Sequence, residues 1–226
     1  MKKILSVLIL FVSTLIFAQE AKESKWVLKV NAVQLLDMFS YPTLQISAER
    51  KINPYFSINA EIGYQLYDLS KADTILLKTR GFKTNIEGRL YLLKLLNTRT
   101  ESKRNEIYVG LQLFHRENQN TNIVSYSLID DSTVGATENF GTKRKATGFN
   151  VTLGNQISVS KKFVLEPFVG FGSMRRKIEN TDLEYDKTKH EVVGTDIEPL
   201  VKRLNLEESS GNVFNFCFGL RVGYRL

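Results

Sequence analysis

Apolar and polar residues alternate with a period of two through most of this chain, most clearly at its end. From Asn212 to Leu226, Phe214, Phe216, Phe218, Leu220, Val222, Tyr224 and Leu226 alternate with Asn215, Cys217, Gly219, Arg221, Gly223 and Arg225. A strand sends successive side chains to opposite faces. One face here is therefore apolar throughout, and the other carries arginines and glycines. The run exceeds an ordinary globular strand. It is long enough to cross a bilayer, which takes ~9–11 residues tilted by ~45°.

The same rhythm predicts seven earlier strands, at 26–33, 43–50, 55–67, 79–92, 106–116, 146–160 and 163–174, with the eighth at 212–226. In the third, Phe56, Ile58, Ala60, Ile62, Tyr64 and Leu66 alternate with Ser57, Asn59, Glu61, Gly63 and Gln65. Trp26 stands where an interfacial aromatic would sit. Asn53-Pro54 and Lys161-Lys162 mark tight turns. Pro167 falls on the apolar face of strand seven and cannot donate to a ladder, so a bulge is expected there. The stretches 117–145 and 173–211 are long and polar and read as loops.

Eight strands joined by links of alternating length predict an all-β fold: an antiparallel up-and-down transmembrane β-barrel, with short periplasmic turns and long outer loops. Residues 1–18 read as a signal peptide. Lys2 and Lys3 precede an apolar run from Ile4 to Phe17, too short for a spanning helix, and cleavage is expected after Ala18. Residues 19–226 then form one domain in the outer membrane. Fourteen Phe, nine Tyr and only four Pro suit strands. The formal charge of +7 becomes +5 once Lys2 and Lys3 are removed, with no concentration that suggests nucleic acid. The single cysteine, Cys217, cannot form an internal disulfide and reads as a small space-filler.

The polar faces carry Glu49, Glu61, Lys83, Glu87, Arg89, Glu166, Arg221 and Arg225. An eight-stranded barrel is only wide enough inside for side chains to fill it. These charges are therefore expected to pair across the lumen as a structural network, with Arg221 and Arg225 each meeting one of Glu49, Glu61, Glu87 or Glu166. A soluble calyx would need the opposite arrangement, apolar inside and polar outside. The nearly charge-free apolar faces favour a lipid-facing exterior, because Arg or Lys at the midplane costs ~2–4 kcal/mol.

The chain resembles the small eight-stranded outer-membrane barrels of Gram-negative bacteria, in particular the Bacteroidetes-type outer-membrane β-barrel domain. The resemblance rests on the leader ending F-A-Q, on S-I-N-A-E-I-G-Y, on F-V-G-F-G and on the closing F-G-L-R-V-G-Y-R-L. It covers about Lys25 to Leu226. It implies an integral outer-membrane protein that meets the barrel-assembly machinery through its last strand. Leu226 departs from the commoner terminal Phe, and Tyr224 supplies an aromatic two positions earlier.

Catalytic chemistry has little support. His115 could meet Ser125 or Ser127, and His190 has Asp186 and Asp196 nearby, but neither has the spacing that a nucleophile–base pair needs. Asp130-Asp131 and the run Glu179, Asp182, Glu184, Asp186 lack the order and glycine of a calcium loop. No cofactor and no metal are expected. The expectation is a non-enzymatic barrel with a plugged lumen, whose loops act in envelope structure, adhesion or binding of a surface ligand or lipopolysaccharide. A narrow pore for ions or small molecules is the alternative, and a soluble periplasmic calyx binding an apolar ligand is the third reading.

Overall fold

The computed structural model describes residues 25–36, 41–65, 80–95, 105–193 and 206–226. The signal peptide expected at 1–18, and the parts of strands three and four expected at 66–67 and 79, lie outside the described residues. The strands are β1 (Trp26–Asn31), β2 (Leu44–Lys51), β3 (Phe56–Tyr64), β4 (Arg80–Tyr91), β5 (Asn105–Leu128), β6 (Gly135–Ser158), β7 (Phe163–Thr181), β8 (His190–Val192) and β9 (Ser209–Arg225). A 3-10 turn at Val33–Leu36 and a helical turn at Leu92–Leu95 are the only helical pieces among them.

Eight strands close into an antiparallel ring. Each pairs with the next, β4 pairs with β5, β7 pairs with β9, and β9 returns to β1. The three-residue β8 adds to β5 above the point where β4 ends. One row of paired residues runs Arg221, Asn31, Gln45, Gly63, Lys83, Arg116, Ala146, Arg176 and arrives back on β9 at Gly211 rather than Arg221. That stagger requires tilted strands, typically by ~35–45°.

Two turns at the lower rim are closed by their own side chains. Asn53 Oδ1 accepts from the Tyr55 and Phe56 amides at 2.9 and 2.8 Å. Ser160 Oγ accepts from the Lys162 and Phe163 amides at 3.2 and 3.0 Å. Pro167 produces no bulge. The β6–β7 pairing is Gly154 with Phe168 on one side of it and Ile157 with Leu165 on the other, in one unbroken register. The missing proline donor interrupts the ladder without shifting it, while on its other side Pro167 lies opposite Leu220 in regular pairing.

The largest departure from expectation is at the upper rim. Most of 117–145 is strand, not loop: β5 and β6 continue as one hairpin with Ser127 opposite Gly135. β7 extends to Thr181, and β9 begins at Ser209. Asp182, with φ of 59°, ends β7 in the left-handed region that Asp tolerates better than most residues. The three longest strands thus rise above the wall formed by β1–β4.

Candidate functional site

Inside the ring the alternation buries polar side chains, and eight strands deliver them to one level. Lys29 from β1 contacts both Glu49 of β2 and Glu166 of β7. From β4, Arg89 Nη1 donates to Glu49 Oε2 at 3.0 Å, and its Nη2 donates to Glu87 Oε2 at 2.6 Å and approaches Glu166 Oε1 at 3.0 Å. Arg221 of β9 donates through Nε to Glu61 Oε2 of β3 at 2.8 Å and through Nη1 to Glu166 Oε1 at 2.9 Å. β5 contributes Tyr108, which donates to Glu166 Oε1 at 3.0 Å. β6 contributes Thr152, donating to Glu87 Oε1 at 2.5 Å, and Gln156, donating to Glu49 Oε2 at 3.0 Å.

The charged members are sealed from solvent: Lys29, Glu49, Glu87, Arg89, Glu166 and Arg221 are each at most 1% exposed. Burying an ion is tolerable only when it is paired and its remaining donors or acceptors are bonded. Neutral groups supply much of that bonding, although Arg221 Nη2 is buried without a hydrogen-bond partner among the described residues. Glu49 accepts from Ser57 at 2.6 Å and from Tyr91, and Glu61 accepts from Asn85 Nδ2 at 2.9 Å. Aromatic faces cover the guanidinium planes, with Arg89 4.4 Å from the Tyr108 ring centroid and Arg221 3.8 Å from that of Phe168.

Six of the eight residues singled out from sequence meet here: Glu49, Glu61, Glu87, Arg89, Glu166 and Arg221. Arg225 finds no carboxylate among the described residues; its Nη2 donates to Ser158 Oγ at 2.7 Å, near the lower rim. Lys83 sits higher, donating to Gln34 Oε1 at 3.1 Å and to the Tyr41 carbonyl at 2.7 Å, with its ammonium 4.5 Å from the Tyr41 ring centroid. Lys29 was overlooked although it lies on the polar face of β1. A short strand with one lysine looks unremarkable until its neighbours across the ring are known. Above the network lies a polar cavity of about 30 Å³, lined by Asn31, Gln45, Glu61, Lys83, Gln112 and Arg116 among others, with room for little more than a water or two.

The exterior is the reverse. Ile46, Ile62, Ile86, Leu111, Val151, Phe171 and Phe216 are exposed, several by more than half. Outward positions on β1–β7 and β9 carry no Asp, Glu, Lys or Arg between Arg50 at the lower rim and the level of Arg175 and Lys145 above. Aromatic and basic side chains meet at the lower rim, where Arg50 lies 5.4 Å from the Trp26 ring and Lys162 5.6 Å from the Tyr224 ring. A polar interior and an apolar exterior exclude the calyx arrangement.

The histidines form no nucleophile–base pair among the described residues. His115 faces outward against Phe82, with Nδ1 2.7 Å from Thr147 Oγ1 rather than near Ser125 or Ser127. Ser125 instead pairs with Thr137 at 2.9 Å. His190 accepts through Nδ1 from the Asp186 amide at 2.9 Å and packs on Tyr126, ring centroids 4.5 Å apart.

Above the rim a second, apolar core appears. Val124, Tyr126 and Phe140 are buried under Leu183, Tyr185, Val192 and Leu206. Glu138 ties it together, accepting from Tyr126 Oη at 2.6 Å and from the Glu184 amide at 2.5 Å. That hydrogen bond pushes the Tyr126 phenol up to about 12.

The molecule is thus a closed eight-stranded up-and-down barrel with a charge-paired interior and an apolar girdle, the architecture that the sequence resemblance implied. The chain belongs to the family described as Protein of unknown function (DUF3575), whose model matches residues 5–212. Among solved structures it is similar to the N-terminal β-barrel domain of Pseudomonas aeruginosa OprF, with 10% identity over 89% of this chain and 97% of that one and a TM-score of 0.35. It is also similar to Acinetobacter baumannii CarO2, with 10% identity over 89% and 96% and a TM-score of 0.37. No curated protein matches.

Proposed function

We infer that this protein is an integral outer-membrane barrel whose lumen is closed, and that it acts through its outer surface and not as a channel or an enzyme. The observation that carries this reading is the network in which all eight ring strands meet at mid-height. Ions crossing the lumen would have to break several charge-assisted bonds at once, each stronger than a neutral one. The girdle supports insertion. Its strands present nine residues on β3 and twelve on β4, against the ~9–11 tilted residues a bilayer requires. Export by a cleaved leader and insertion by the barrel-assembly machinery through β9 belong to the same reading. The raised β5–β7 wall with its own small core is the surface offered for envelope contacts or adhesion.

Two measurements test it. The folded protein should migrate anomalously on a gel until boiled, and should fractionate with outer membranes. In a planar bilayer the purified barrel should give no steady unitary conductance. Regular steps would overturn the closed lumen in favour of a narrow pore.

A further inference from the structure

Directly above the apolar girdle, on the same outward face, the wall turns basic. Outward positions on β5, β6 and β7 run Leu113, Phe149 and Phe171 within the girdle. Higher up the same strands they become His115 and Glu117, then Lys145 and Lys143, then Arg175, Lys177 and Glu179. Arg80, at the top of β4 opposite Gln119, continues the band. Five cations thus face outward with two carboxylates, Glu117 and Glu179. The carboxylates hold two of them: Lys143 lies 2.9 Å from Glu117, and Lys177 lies 2.5 Å from Glu179. Lys145 and Arg175 have no ion-pair partner among the described residues.

The register offsets this clustering only in part. Lys145 stands opposite Glu117 on β5 but opposite Lys177 on β7, and like charges facing across a strand pair are destabilising. An external anion at that height would offset the repulsion. Continuity with the girdle says which anion. A molecule whose chains lie along Leu113, Phe149 and Phe171 places its headgroup at Lys145 and Arg175, since strand and chain run side by side out of the bilayer. Positive charge just outside a hydrocarbon layer attracts anionic headgroups. The opposite sector, β1–β3, carries no such outward band among its described residues.

We propose that the β4–β7 sector is a docking surface for a phosphorylated lipid of the outer leaflet, held by Lys145, Arg175 and Lys177 through its headgroup phosphate and by Leu113, Phe149 and Phe171 along its chains. This rests on the outer-membrane reading above. The partner is a phosphorylated membrane lipid such as lipid A, not free phosphate, because the cations stand on an open face, with Lys145 half-buried and Arg175 and Lys177 exposed, and only the adjoining girdle adds a second contact.

The test uses the folded barrel with native mass spectrometry. It is offered diphosphoryl lipid A, lipid A stripped of phosphate, or phosphatidylcholine, with inorganic phosphate as a competitor. The expected result is retention of diphosphoryl lipid A in preference to the other two, weakening with salt and resisting inorganic phosphate. A combined Lys145→Gln, Arg175→Gln, Lys177→Gln variant should lose about tenfold or more of that retention while keeping its heat-modifiable gel mobility. Equal retention of all three lipids, or no loss in the variant, would overturn the docking surface and leave the membrane barrel standing. Displacement by inorganic phosphate would also overturn it. A chain that stays soluble beside lipid vesicles would overturn both readings.

Discussion

The lower and upper halves of β5 and β6 obey opposite rules. Within the girdle, Gln112 and Asn150 point inward and are buried, while Leu111, Leu113, Val151 and Leu153 point outward and are exposed. Above the rim, on the same strands and in the same register, the inward residues Val124, Tyr126 and Phe140 are apolar and buried, while Ser125, Thr137 and Asn139 take the outward positions. The ladder does not change; the solvent does. Lipid outside reverses the usual pattern, and water outside restores it. The lower half is consequently held by paired charges, the upper half by a small apolar cluster.

The largest effect should come from breaking the lower half. Glu166→Leu removes the carboxylate that Lys29, Arg89 and Arg221 share. Lys29 keeps Glu49, Arg89 keeps Glu49 and Glu87, and Arg221 keeps Glu61, but buried donors lose an acceptor, which costs about 1–3 kcal/mol for each group left unsatisfied, so urea unfolding of the lipid-inserted barrel should shift toward lower denaturant. An unchanged midpoint would mean that the network contributes nothing to stability. Phe140→Ala should test the upper half alone. Emptying its cluster should cost about 3 kcal/mol locally, speeding protease cleavage in 129–134 or 182–193 while the gel shift on boiling survives. Loss of that shift would mean that the two halves unfold together.

A smaller effect is expected at Gly172. A Cβ there would come within 1.8 Å of the Phe149 carbonyl oxygen, so Gly172→Ala must push β6 and β7 apart. The expected loss is about 1–3 kcal/mol, read by the same urea titration, with no change in protease sensitivity above the rim. The smallest effect is a pH dependence confined to the upper half. The Tyr126 phenol is raised in the folded state to about 12 by its bond to Glu138. Its contribution is therefore complete below the ordinary phenol range near 10 and is lost as pH rises through about 12. Glu138→Gln should lower the apparent Tyr126 titration, followed by tyrosinate absorbance; an unmoved titration would mean that the carboxylate is not its cause.

Legibility followed the same division. Strands β2, β3 and β4 were readable to within a few residues because one face meets lipid and the other meets packed polar groups, and that contrast writes a period of two into the sequence. The upper parts of β5 and β6 resemble loop in the sequence because that contrast disappears. Their outward side is wet, and only Val124, Tyr126 and Phe140 mark the inward side, too sparsely to outweigh the Asn and Thr around them. Six of the lumen charges were legible by face alone. Arg225 was not, because its place along β9 carries it below the network to Ser158. Lys29 was missed because nothing local distinguishes it from a solvated lysine.

By itself, then, the amino-acid sequence determined the strand rhythm, the number of strands in the ring and the segregation of charge onto one face, since each depends only on neighbours two residues apart. Tertiary structure alone decided the stagger of the ring, and with it which charges share a level. Glu166 meets Lys29 and Arg89 because ring closure brings β7 within reach of β1 and β4, while Arg221 is its direct neighbour across the β7–β9 ladder. A contact across 137 residues of chain, such as Lys29 to Glu166, leaves no periodic trace in the sequence, because what creates it is the geometry of a closed, tilted sheet.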